Sequence, residues 1–88
     1  MKIFEATSVT AEGSKIVIIR VPQAVVENPF WMGEVMVRGA HDLCCRRVLL
    51  LSADTGRIFG NHEDKRAIVG FDPTLARWVQ WNMVELGL

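Results

Sequence analysis

His41 and Asp42 are adjacent, and a carboxylate beside an imidazole can orient it as a general base or supply half of a metal site. The same two residues also suit a turn before a strand, where Asp accepts hydrogen bonds from the nearby backbone. A metal-dependent hydrolase built on a His–Asp pair needs further ligands from several helices, and no such set is evident. The turn reading is therefore preferred. His62-Glu63-Asp64 offers three more polar groups, but consecutive residues rarely converge on one ion. Zinc ligands are usually separated by two to five residues, and neither the two cysteines nor the two histidines are spaced in that way. A solvated loop is expected at this segment, and no metal or cofactor is expected in the chain.

Cys44-Cys45-Arg46-Arg47 is the third cluster. Guanidinium groups can activate a thiol or bind phosphate and carboxylate in a fork geometry. If the segment is a strand, alternation places Cys45 and Arg47 on one face and Cys44 and Arg46 on the other, which disperses the cluster. Adjacent Cα atoms lie ~3.8 Å apart, closer than a relaxed disulfide prefers, so both cysteines should be free thiols. Arg47 could join Arg57, Lys65 and Arg66 in a local patch, although charges that keep a sheet face soluble are the simpler reading. Phe30-Trp31-Met32 could line a pocket or, more simply, fill the core or an interface. Gly56 and Gly60 match neither a dinucleotide fingerprint nor a nucleotide phosphate loop, and Ser8, Ser14 and Ser52 lack the context of a nucleophile elbow. If a small ligand binds, the candidate residues are Trp31, His41, Arg47 and Trp78.

The elements that would position these groups follow from periodicity and punctuation. Lys2 to Val9 and Lys15 to Val21 read as strands joined by a turn at Ala11-Glu12-Gly13-Ser14, with Pro22 ending the second. Leu43 to Ser52 reads as a third strand, returning through Asp54-Thr55-Gly56 to Arg57-Ile58-Phe59. Arg66 to Phe71 reads as a further strand after the charged loop. Between Pro22 and Asp42 two readings compete. Asn28-Pro29 and Gly39 punctuate a helix over Phe30 to Arg38, whereas Gly33 and the alternation of Glu34-Val35-Met36-Val37-Arg38 favour a strand, which is the preferred reading.

The C-terminal segment carries the strongest helix signals: Asp72 as a cap, Pro73 at the first helical position and Gly87 as a terminator. A helix from Pro73 to Leu86 would place Leu75, Val79, Asn82, Met83 and Leu86 on one stripe, with Trp78 at its edge. Trp81 and Val84 would point elsewhere, which predicts a second apolar face covered by another subunit.

The 88 residues are half hydrophobic, with ten basic residues balancing ten acidic ones. A chain of this length buries only about 60–65% of the surface its unfolded form exposes, and oligomerisation would widen the stability margin. Neutral net charge disfavours nucleic acid as a partner. The longest apolar runs are too short to cross a bilayer, and the N-terminus meets Lys2 and Glu5 too early for a secretory signal, so a cytoplasmic location is expected. The predicted fold is one compact α+β domain over residues 1–88, with a mainly antiparallel sheet of about five or six strands and a C-terminal helix packed on one face. The predicted function is a small soluble homo-oligomeric binding or protein-interaction module, a dimer or higher, with Trp81 and Val84 at the oligomer interface. The alternative is a small-ligand protein or enzyme with a pocket between sheet and helix or between subunits.

Overall fold

The computed structural model describes Lys2 to Met83. Among these residues the chain forms β1 (Lys2–Ala11), β2 (Ser14–Val21), α1 (Gln23–Val26), α2 (Pro29–Asp42), β3 (Val48–Ser52), β4 (Ile58–Phe59), α3 (His62–Ala67) and β5 (Val79–Met83). The five strands make one sheet in the order β4-β3-β2-β1-β5. The fold is α+β as expected, but the sheet is mixed rather than mainly antiparallel, because β2 and β3 run parallel with Val17 opposite Val48 and Val21 opposite Ser52. Parallel neighbours require a crossover. Residues 22–47 provide it through α1 and α2, where the sequence reading had placed another strand.

The β1–β2 hairpin follows the sequence closely. Ala11 pairs with Ser14, and Glu12 and Gly13 make the two-residue turn with φ of 53° and 78°. Two left-handed residues match the twist of the flanking strands, and Gly13 adopts this geometry without a Cβ penalty.

In α2, the capping signals prevail over the alternation at 34–38. The Asn28 side chain accepts from the amides of Phe30 and Trp31, and Pro29 occupies the first turn. Gly39 does not end the helix. It sits where a Cβ would collide with Ile19 Cδ1, so its missing side chain lets α2 lie close against β2. Leu43 caps the helix, and Cys44 then turns left-handed at φ 51°. The third strand consequently starts at Val48 rather than Leu43, and the expected alternation of Cys44, Cys45, Arg46 and Arg47 does not occur.

Two further expectations are corrected beyond β4. The segment His62 to Asp64 is not a loop but the start of α3, capped by the Asn61 side chain, which accepts from the amides of Glu63 and Asp64. Arg66 to Phe71 is not a strand. It completes α3 and turns at Gly70, with φ of 93°.

No C-terminal helix forms over 73–83. Asp72 does cap a turn: its Oδ1 accepts from the Thr74 amide at 2.9 Å and the Thr74 hydroxyl at 2.7 Å, and Leu75 N–H donates to Asp72 O. The turn stops there, and Val79-Gln80-Trp81-Asn82-Met83 becomes β5, antiparallel to β1, with Phe4 opposite Trp81. A strand puts Trp81 and Met83 on one face and Gln80 and Asn82 on the other, whereas a helix would have spread the apolar groups around its axis. Residues 84–88, including Val84 and the expected terminator Gly87, lie outside the described residues.

The sheet is buried on both faces at β2 and β3. Phe4, Ala6, Val17, Ile19, Val21, Val48, Leu50, Trp81 and Met83 pack beneath α1 and α2. Ile16, Ile18, Leu49 and Leu51 pack on the opposite face against Ile68, Phe71 and Trp78. Ile16, Ile18, Ile19, Leu49 and Leu50 are fully excluded from solvent, which accounts for the apolar run in β2 and β3. No helix among the described residues is long and apolar enough to cross a membrane.

Candidate functional site

β5 covers only part of its neighbour. It pairs with β1 from Lys2 to Ala6, whereas β1 continues to Ala11. Beyond Ala6 no strand among the described residues lies beside the outer side of β1. No backbone hydrogen bond joins residues 70–78 to Thr7–Ala11, so alternate residues of this stretch present their N–H and C=O groups to an open lane.

Trp78 directs the chain out of that lane. Immediately before β5, its indole lies on the α3 side of the sheet, edge-on to Phe71 with ring centroids 6.3 Å apart. Its Nε1–H donates to Pro73 O at 2.9 Å, closing the 73–78 loop on itself. The Arg20 guanidinium sits 4.2 Å from the indole centroid and also donates to Glu5 Oε1 from Nη2 at 2.7 Å and from Nε at 3.1 Å. A cation over an aromatic face and a paired carboxylate together fix the ring's position.

The space left between this loop and the sheet is a groove of about 700 Å³. Its floor includes Ala6, Thr7, Ser8 and Val9 of β1 with Val17 of β2. Leu43, at the end of α2, also lines it, and Phe71, Leu75 and Val79 supply apolar walls. Leu75 and Val79 are 84% and 57% exposed, so both are open to an incoming apolar side chain. Lys15 and Arg77 bring positive charge to the same groove, and Asp72 brings one carboxylate. That carboxylate is held below its ordinary range by the Thr74 hydroxyl and amide that donate to it.

No family model, curated protein or solved structure matches this chain.

The residues singled out in the sequence do not meet in one place. Trp31 stands at the start of α2, edge-on to Phe30 and beneath Lys2 Nζ at 4.4 Å. His41 is at the other end of α2, with its side chain 88% exposed. Arg47 is engaged by α3, its Nε donating to Asp64 Oδ1 at 2.7 Å. Trp78 lies on the opposite face of the sheet from Trp31. Trp81, expected at an interface between copies, is buried at 6% exposure inside its own chain, with its ring centroid 6.0 Å from that of Phe4.

The His41–Asp42 pair is formed, with Nδ1 and Oδ1 3.2 Å apart. The other carboxylate oxygen accepts from Trp81 Nε1–H at 3.0 Å. These hydrogen bonds, from His41 first and Trp81 second, hold Asp42 below its ordinary value of 3.8. The arrangement joins the end of α2 to β5 and leaves the imidazole facing solvent. Cys44 Sγ approaches only the backbone oxygen of His41, at 3.9 Å. Among the described residues no three His, Cys, Asp or Glu side chains are placed to share a metal ion.

The groove residues Lys15, Leu43, Leu75, Arg77 and Val79 were not among the candidates. The available signal was the strict alternation of Val79 to Met83 following a turn motif at Asp72-Pro73-Thr74, which marks where a strand begins. Nothing in the sequence states that this strand pairs with only half of β1.

Proposed function

We propose that this chain is a small binding module that takes an extended peptide segment as an added strand beside β1, in the lane β5 leaves at Val79. The observation that carries the reading is the coincidence of an unpaired strand edge, Thr7–Ala11, with an apolar-walled groove of about 700 Å³. In strand addition, backbone hydrogen bonds provide affinity and flanking side-chain pockets provide selectivity. Leu75 and Val79 offer contacts for apolar side chains of the incoming segment. The expectation of a homo-oligomer rested on a helix with a second apolar face. That helix does not form over the described residues, and strand addition requires only one copy of the chain.

Backbone-modified peptides test the reading. A fluorescein-labelled heptapeptide of alternating Val and Thr should raise anisotropy on titration with the protein. N-methylation of the alternate amides on one edge of the peptide should abolish the change, while methylation on the other edge should leave it. Equal tolerance of both patterns would remove backbone pairing as the mode of binding.

The volume and the apolar lining, with Leu43 beside Val17, also favour a second reading, a small-molecule pocket between sheet and helix. Its occupant would leave the amides of Thr7–Ala11 unprotected from solvent exchange, which a strand would not.

A further inference from the structure

The charge of the groove points to the kind of segment it takes. Lys15 and Arg77 both line it, and neither side chain has an ion-pair partner among the described residues. Several other cations are engaged: Arg20 by Glu5, Arg38 by Glu34 and Arg47 by Asp64. The one carboxylate among the groove's described residues, Asp72, is already occupied by two donors from Thr74. The groove therefore joins two uncommitted cations to apolar walls on a chain whose formal net charge is zero.

We infer, resting on the strand-addition reading above, that the segment added beside β1 is acidic, and that Lys15 and Arg77 receive a carboxylate side chain from it. Lys15 belongs to the series Lys15, Val17, Ile19 on the α2 face of β2, where it stands opposite Thr10 of β1. A strand added to β1 alternates its side chains between the two faces of the sheet. Its carboxylate is consequently received at alternate positions only, those that face α2. Guanidinium and ammonium groups on an open groove wall favour a carboxylate modestly, and salt screens the attraction.

The test uses the labelled Val-Thr heptapeptide with Glu, Gln or Lys placed singly at each position, titrated with the whole chain at low and high salt. Glu should bind about three- to tenfold more tightly than Gln at alternate positions, and Lys more weakly than Gln. The difference should shrink at high salt. In the double variant Lys15→Gln/Arg77→Gln, both exposed positions, the ratio of Glu-peptide to Gln-peptide affinity should fall to about one, whatever the affinity for the neutral peptide becomes. Equal affinity for Glu and Gln peptides in the wild-type chain would overturn the inference and leave strand addition standing. A Glu preference that persists in the double variant would also overturn it. Failure of every peptide to bind would overturn both.

Discussion

The Trp81 indole N–H donates to the Asp42 carboxylate at 3.0 Å across 39 residues of sequence, pinning β5 to the last turn of α2. The bond explains how an edge strand of five residues holds its place. It also joins two parts of the chain that sequence reasoning treated as unrelated: a possible catalytic pair and a helix with too many faces.

Trp81→Phe keeps the ring against Phe4 and removes the donor. It should cost about 1–2 kcal/mol, because the partner is a charged carboxylate that remains accessible to water once released. Trp81→Ala should cost about 3–5 kcal/mol through the cavity it opens. Urea denaturation measures both. A double cycle with Asp42→Ala should show the Phe and Ala substitutions to be non-additive, since each removes the same bond.

Asp42 also gives stability a defined pH dependence. Its folded pKa is depressed, so its contribution is complete above the ordinary aspartate value of 3.8 and is lost as pH falls through the lower folded value. Thermal melts of the wild type should therefore fall more steeply with acidification below pH ~4 than those of Asp42→Asn. Parallel curves would show that the carboxylate is not stabilised by the fold.

The two glycines of α2 should respond in opposite directions. Nothing lies within 4 Å of a Cβ built on Gly33, so Gly33→Ala should stabilise the chain by up to about 1 kcal/mol through helix propensity. Gly39→Ala meets Ile19 Cδ1 and should destabilise it by about 1–3 kcal/mol. Adding Ile19→Val, which removes that methyl, should make the pair less costly than the sum of its singles.

Trp78 should matter more to the groove than its distance from the lane suggests. Trp78→Leu removes the bond to Pro73 O and the face on which Arg20 rests. Peptide affinity should fall several-fold while the fold persists, with circular dichroism as the control. Unchanged affinity would show that the loop needs no anchor.

What could be read from the sequence depended on whether the deciding interaction was local. The Glu12-Gly13 hairpin and the Asp54-Thr55-Gly56 return to β4 are set by turn residues and adjacent apolar alternation, and both were legible. The N-terminal signals of α2 were present too, but Gly33 and the alternation over 34–38 outweighed them in favour of a strand, and Gly39 read as a terminator because a glycine that ends a helix and one that admits a neighbouring strand look the same in sequence. At Asp72-Pro73 the cap was real and the helix was not. Whether a first turn propagates is decided by the face that Trp81 and Met83 find against Phe4 and Gly39, contacts more than 40 residues distant. The groove was least legible of all. It is the space left where β5 stops pairing, and its lining comes from β1, β2, the cap of α2 and a loop that no sequence motif links.

The open edge of β1 is the central claim, and amide hydrogen exchange measured by NMR tests it most directly. In the free chain, alternate amides within Thr7–Ala11 should exchange quickly, whereas their neighbours bonded to β2 should be protected. Saturation with the Val-Thr heptapeptide should slow the fast set selectively and leave the β2-bonded set as before. Uniform protection of Thr7–Ala11 in the free chain, or peptide binding that leaves the fast amides fast, would contradict strand addition at this edge.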